Sequence, residues 1–395
     1  MKRVDALVIG AGPAGATAAL ALARGGLSVL LVEKSAFPRR KVCGEYISAS
    51  SWPLLDELGA GPIEASAGPP VHAVGFFAGE HIASSPMPLA DGRAGRAVRR
   101  ELLDTTLAAM ARDAGAELRQ PATVLGYELD GDRIQARIED AGGNEEPLEA
   151  SVVIAAHGSW ERAPRAGAAK ALRRDSDLLG FKAHFAEARL ARGLMPLVLF
   201  PGGYGGLVES DDGCVSFSCC IRRDALARVR AARDGAPAGE AVLAHACASA
   251  RALREALAGA ARDGPWLAAG PIRPGIRGQP GGGLFRVGNA AGEAHPLVAE
   301  GIGMAIQSGW LLAESLGTRR RLLDEAELGA VGREYERRWR SHFAPRVRAS
   351  HAFAWATGHA LHAAAAAVSR VPAILAWGAR WSGKAAPMPA PEHAR

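Results

Sequence analysis

The residues best placed to do chemistry are three glycines, Gly10, Gly12 and Gly15, with Pro13 and Ala14 between the last two and an acid, Glu33, further on. Gly10 permits a tight turn, Gly12 lets backbone approach a pyrophosphate, and Gly15 lets a helix pack closely on a strand, so bare amide N–H groups at the helix start face bound phosphate. Glu33 stands about 20 residues past the glycines, where a carboxylate accepts from both hydroxyls of an adenosine ribose and disfavours a 2′-phosphate. The chemistry is capture of a dinucleotide by its ADP half. Lys34 and the loop Pro38-Arg39-Arg40-Lys41-Val42-Cys43-Gly44-Glu45 add positive charge, Arg40 included, beside the expected phosphates. A second block, Gly288-Asn289-Ala290-Ala291 followed by His295-Pro296 and Glu300-Gly301-Ile302-Gly303, again joins glycines to a helix start.

The elements that must position these groups follow from hydrophobic pattern. Val4 to Ile9 reads as a strand, Ala16 to Arg24 as a helix without a breaker, and Leu27 to Val32 as a second strand closing at Glu33. Asp5 interrupts this stretch and no cleavage context follows Glu33-Lys34, so it is expected to stay in the mature protein rather than act as a secretory leader. Further on, Trp52 to Leu58 reads as a helix, residues 71 to 99 as antiparallel strands, and Arg100 to Gly115 as an amphipathic helix with Leu103, Leu107 and Met110 on one face. A hairpin spans Tyr127 to Ile138, turning at Asp130-Gly131-Asp132, and the unbroken apolar run Ser151 to Ala156 suits a strand covered on both faces of a parallel sheet. Lys182 to Glu187, Met195 to Phe200 and Val215 to Ile221 join residues 71 to 99 in a second, antiparallel sheet. A helix from Ala241 to Leu257, a strand from Leu284 to Val287 and a helix from Ile302 to Leu316 follow. From Arg319 the pattern is helical. Ala349 to Ser369 carries no charged residue yet is rich in alanine and broken by histidines, which predicts an amphipathic packing helix, or interfacial contact with lipid or a greasy substrate, and no transmembrane span.

With 395 residues, 48% hydrophobic and 22% charged, the chain can bury a large core and has the composition of a soluble enzyme. The net charge of +6 is spread among acids rather than clustered, which argues against a nucleic-acid partner. The five cysteines show neither C-x-x-C pairing nor metal-ligand spacing, so no metal site and no disulfide framework is expected, and a cytoplasmic location fits. A Ser/His/Asp order with an elbow motif and paired carboxylates at useful spacing are both absent.

Three segments resemble one family: the start through Glu33, the helix opening Arg100-Glu101-Leu102-Leu103-Asp104, and the block Gly288 to Ile306. Together they resemble the FAD-dependent aromatic hydroxylase superfamily, which includes geranylgeranyl reductases and flavin-dependent halogenases. The resemblance implies an α/β fold, with a Rossmann-type FAD-binding domain interleaved with an antiparallel β-sheet substrate domain, plus a C-terminal helical region. Its boundaries would be residues 1–70, 98–175 and 266–318 for the FAD-binding domain, 71–97 and 176–265 for the substrate domain, 319–382 for the helices, and a disordered tail at 383–395. FAD is the implied cofactor, with NAD(P)H docking transiently as reductant. Arg100 would lie by the FAD phosphates, Gly288-Asn289-Ala290 by the ribityl chain, Pro296 near the reacting face, and the amides of Gly301-Ile302-Gly303 against flavin N1 and O2, where they stabilise the charge of the reduced ring.

The loop P-x-x-K-x-C-G, here Pro38 to Gly44, and the Gly203-Tyr204-Gly205 stretch resemble the reductase branch. Cys43 would then sit by the flavin, or is a small buried filler. Tyr204 contacts substrate or packs its strand, and His295, beside Pro296, is catalytic or structural. The chain departs from the family at Asn289 and at His157-Gly158, each where an aspartate is usual, and at Ala299 in place of a glycine; the halogenase W-x-W-x-I-P signature is absent. The expected function is an NAD(P)H-dependent monooxygenase hydroxylating a lipophilic aromatic or polyketide-like metabolite, free or carrier-bound, in a dry pocket under the second sheet. The alternative is a geranylgeranyl reductase-like enzyme reducing C=C bonds, with Cys43, Tyr204 or an unidentified acid supplying the proton. A halogenase, or a flavin-bearing binding partner without turnover, are minor readings.

Overall fold

The computed structural model describes residues 1–130, 133–159, 173–317, 325–359 and 361–384. The expected hairpin turn at Gly131-Asp132 and the tail from residue 385 onward lie outside these. The chain opens with β1 (Lys2–Ile9), α1 (Pro13–Arg24) and β2 (Val29–Val32). Strands β3 (Ala73–Ala78) and β4 (His81–Pro86) precede α2 (Arg100–Asp113), then come β5 (Glu117–Arg119), β6 (Ala122–Asp130), β7 (Arg133–Asp140) and β8 (Glu145–Ala155). Next, β9 (Leu178–Ala186), β10 (Leu194–Phe200), β11 (Gly203–Glu209) and β12 (Val215–Arg222) lead into α3 (Arg223–Ala231), α4 (Ala238–Ser249), α5 (Arg251–Ala256) and β13 (Ala261–Ile272). The last elements are β14 (Leu284–Arg286), α6 (Gly301–Leu316), α7 (Glu325–His359), α8 (Leu361–Arg370) and α9 (Ala373–Trp381).

The first sheet runs β5-β2-β1-β8-β7-β6, with β14 also on β8. Parallel pairing of β1 with β2 and β8 makes the crossover that the opening sequence predicts. One edge of β8 is divided: residues 145–150 pair antiparallel with β7, and residues 153–155 pair parallel with β14. The unbroken apolar run in β8 has two covers. Val152 and Ile154 pack with Ala6 and Val8 against α1, α2 and α6, while Val153 packs with Leu7 and Leu30 against Val124, Ile134 and Ile138 of the β6–β7 pair.

The second sheet runs β13-β9-β12-β11-β10-β3-β4 and is antiparallel except where β10 lies parallel to β3, a mixed pairing that the expectation of a wholly antiparallel sheet missed. Phe181, Ala183 and Phe185 of β9 and Phe217, Cys219 and Ile221 of β12 point to α3–α5. By the period-two rule Lys182, His184, Ser218 and Cys220 face the other way, toward the first sheet. Two boundaries differ from expectation. Strand β13 pairs with β9 in the second sheet and crosses the domain boundary expected at 265/266, and the helix expected over Ala241 to Leu257 breaks at Ala250, whose extended backbone (φ −140°, ψ 108°) forms a bridge to Gly79. Helices α8 and α9 cover Phe76, Ala78 and Leu199 through Ala365, Val368 and Leu375. Among the described residues no helix is long and apolar enough to cross a membrane.

Candidate active site

A cavity of about 740 Å³ lies between the sheets, and its wall runs from the β1–α1 turn to the C-terminal helices. At one end is the start of α1. Gly10 holds φ +102°, and a Cβ there would lie 2.7 Å from the Ala156 carbonyl oxygen, so no other residue fits without movement. Gly12 is the extended N-cap of α1 and no side chain caps the helix, which leaves its first amide donors for a ligand. Glu33, buried at the tip of β2, accepts from the amides of Ala11 at 3.0 Å and Ser35 at 3.1 Å and pairs with Arg39 at 3.2 Å. Arg39 also reaches buried Asp104 at 3.1 Å, and Asp104 takes a two-pronged bond from Arg100 at 2.8 and 2.7 Å. The i,i+4 spacing of Arg100 and Asp104 on α2 therefore aims the guanidinium at the start of α1 and at the Cys43 sulfur.

At the other end, Val287, Asn289 and residues 293–302 supply the wall. Ala299 takes the left-handed conformation at φ +51°, which explains why a glycine is usual there, and α6 begins at Gly301 with no side-chain cap. Its N-cap carboxylate, Glu300, is occupied by Ser48 at 3.2 Å and Lys384 at 2.7 Å. A Cβ on Gly301 would meet nothing within 4 Å. Two uncapped helix starts thus open on one cavity, a donor set suited to a pyrophosphate at one end and an anionic ring at the other.

Of the residues singled out in the sequence, Gly10, Gly12, Pro13, Ala14, Glu33, Cys43, Gly44, Arg100, Asn289, Gly301 and Ile302 line this cavity, as do Tyr204, His295 and Pro296. Six do not. Gly15 packs on Gly10 and Ala156, Gly288 on Ala14, and Gly303 on Ser51; Ala290 is buried in the core and Lys34 is exposed. Arg40 turns outward to Glu101 at 3.0 Å and Asp263 at 3.2 Å, and its neighbour Arg39, 9% exposed in its side chain, takes the inward place. Among the described residues one group, Asp212, Cys214 and Asp263, brings metal-ligand atoms within 4.8 Å of one another. Both carboxylates already pair with arginines, Asp212 with Arg99 at 2.9 Å and Asp263 with Arg40.

The titratable groups on the wall behave unlike one another. Burial and the nearby His351 push the His295 imidazole down to about 4, so it is neutral at physiological pH; its ring lies 5.1 Å from that of Tyr204. Burial drives the Tyr204 phenol well above its usual value. Glu293 differs from both. Burial pushes its carboxyl up to about 7 against the pull of Ser159 and Arg277. Oε1 of Glu293 accepts from Ser159 Oγ at 2.9 Å and Asn289 Nδ2 at 3.1 Å, while Oε2 is buried 3.8 Å from the Arg277 guanidinium. Asn289 is thereby explained. An aspartate there would set a second carboxylate against Glu293, whereas the amide donates to it.

Sequence reading also missed a buried charge cluster. Glu45, fully buried at the end of the Cys43 loop, pairs with Lys182 and with His184 Nε2 at 2.9 Å, both on β9. Burial pushes the Glu45 carboxyl up, but the His184 hydrogen bond and the Lys182 charge outweigh it and hold it down at about 2. The signal was legible: Lys182 and His184 alternate with Phe181, Ala183 and Phe185, so a strand with one apolar face presents two basic groups on the other.

Residues 3–188 match the FAD binding domain family. Digeranylgeranylglycerophospholipid reductase of Methanocaldococcus jannaschii is 27% identical over 345 residues, covering 85% of this chain and 82% of that protein. Among solved structures, the myxobacterial chondrochloren halogenase superposes with a TM-score of 0.73 at 23% identity, covering 86% of this chain and 80% of that one. A geranylgeranyl bacteriochlorophyll reductase-like protein of Thermoplasma acidophilum gives 0.70 at 20% identity, covering 89% and 86%. The matched segment contains the uncapped start of α1, Glu33 and Arg100, so this stretch is an FAD binding domain, and the chain as a whole is an enzyme similar in fold to these FAD-dependent halogenases and geranylgeranyl reductase-like proteins.

Proposed function

We propose that this enzyme reduces carbon–carbon double bonds of a lipophilic, isoprenoid-like substrate, drawing its electrons through FAD from transiently docked NAD(P)H. The uncapped start of α1, with Glu33 and Arg100, would hold the ADP half, and the amides at the start of α6 would serve the ring. When bound, FAD supplies the electron pair. Saturating a double bond also needs a proton at carbon, and the observation that carries the proposal is Glu293, a carboxyl on the cavity wall that burial brings to about 7 despite the nearby Arg277. Tyr204 holds its proton too tightly and His295 has none to give at pH 7. The remaining wall is largely apolar, with Val74, Leu197, Leu207, Ile272, Phe353 and Leu375, and suits a hydrocarbon chain. The reductase relative aligned over most of both chains supports the same chemistry.

The test is product mass spectrometry after incubation of the FAD-loaded enzyme with NAD(P)H and a panel of polyprenyl lipids and lipophilic aromatics, with and without labelled oxygen. Anaerobic product heavier by two hydrogens is the expected result. Product carrying oxygen from O2, formed only aerobically, overturns the proposal and restores the monooxygenase that the sequence placed first.

A further inference from the structure

Four large exposed apolar side chains lie along the C-terminal helices around the mouth of the cavity. Trp355, Val371, Trp377 and Trp381 are 66%, 52%, 62% and 59% exposed. Trp377 and Trp381 also line the cavity, their rings 5.4 Å apart, and Trp355 lies between the lining residues Phe353 and Ala356 of α7. In α9 the arrangement is two-faced. Leu375 and Ala379 are buried against the body, while Ala373, Trp377, Arg380 and Trp381 recur on one exposed face at helical spacing. Ile82 on edge strand β4, 49% exposed, extends the patch next to His81, whose ring bonds Ser369 at 3.1 Å.

Charge in this region has one sign. From Arg337 to Pro391 the sequence has no Asp or Glu, and it carries Arg337, Arg338, Arg340, Arg346, Arg348, Arg370, Arg380 and Lys384. Several are used internally: Arg338 by Glu314, Arg340 by Glu336, Arg346 by Gln307 and Lys384 by Glu300. Arg348, Arg370 and Arg380 are exposed and have no acidic partner among the described residues. Indoles at the rim of an apolar cavity, with unpaired guanidinium groups among them, match the headgroup layer of an anionic bilayer, where indole is amphipathic and each cation gains from the surface potential. A second copy of this chain would bring like charges together, which disfavours self-association through the same face.

We infer that α9, with Trp355, Arg348 and Arg370, docks the cavity mouth on an anionic lipid surface, so that a lipophilic substrate enters from the bilayer without crossing water. The docking is read without turnover, so its failure and the failure of the proposed reduction are separate results. The experiment is flotation of the FAD-loaded full chain with phosphatidylcholine vesicles, with and without phosphatidylglycerol, at low and high salt, together with tryptophan emission. Binding should be about 100-fold tighter to the anionic vesicles, from three cations at the surface, should weaken as salt rises, and should shift the indole emission to the blue. Trp377→Ser/Trp381→Ser and Arg370→Glu/Arg380→Glu, with unchanged melting midpoints, should each lose most of the binding. Equal or absent binding of the unmodified chain to the two vesicle types overturns the inference, as does a stable dimer in solution that the tryptophan variant dissolves. The comparison on unmodified protein decides the matter even if a variant fails to fold.

Discussion

Replacing Glu293 by glutamine keeps the oxygen that accepts from Ser159 and Asn289 but removes the proton. If the protonated acid is the active form, turnover of the unmodified enzyme falls as pH rises through about 7, and Glu293→Gln lowers kcat by about 100-fold or more and abolishes that limb. His295 cannot supply the limb, because its own pKa lies near 4. The same shift acts on stability. A carboxyl raised from 4.5 to about 7 favours the folded state most below pH 4.5, and that contribution is lost as pH rises through about 7. Glu293→Gln should therefore melt above the unmodified chain at pH 8 and level with it at pH 5, by calorimetry. A pH profile unchanged by the substitution would rule out the acid role. Nothing in the local sequence marks Glu293, since an acid after Gly292 reads as a loop polar group; only its burial, set by strands distant in sequence, makes it an acid with an unusual pKa.

At the scale of elements, the contact that seats the Cys43 loop on the second sheet is the Glu45–Lys182–His184 cluster. Removing one partner leaves a buried charge without compensation, so Lys182→Met should cost about 3–5 kcal/mol in urea unfolding, and adding Glu45→Gln should recover most of it. A single-variant cost within about 0.5 kcal/mol, as for an ordinary surface site, contradicts the account. Acid sensitivity follows with the opposite sign to Glu293: a carboxyl depressed to about 2 contributes above pH 4.5 and loses that contribution as pH falls through about 2. Legibility of the elements tracks how local their causes are. The β1–α1–β2 unit was legible because its strands, glycines and acid are contiguous. The break at Ala250 was not, since alanine is the best helix former and a bridge to Gly79, far off in sequence, sets its backbone. Strand β13 was hidden by Asp263-Gly264-Pro265, which reads as a turn; Gly264 and Pro265 lie in a bulge between the ladder pairs Asp263–His184 and Leu267–Lys182, and β9 carries the strand across it.

Across the whole molecule, the two glycine blocks, some 280 residues apart in sequence, meet because β14 returns to the edge of β8 opposite β1 and delivers the Gly288 turn against Ala14. That convergence was readable from the motifs. Which arginine turns inward was not, because Arg39 and Arg40 have the same chemistry and only Asp104 and Glu33 on one side, against Glu101 and Asp263 on the other, separate them. The central claim is that the cavity so formed holds FAD with its ADP at α1 and its ring at α6. Its most direct test is the visible spectrum and released-flavin content of the chain after incubation with excess FAD and desalting, beside Arg100→Glu. The account predicts a yellow protein with about one FAD per chain and a variant that loses most of it; a colourless protein, or FAD retained equally by both, would contradict it.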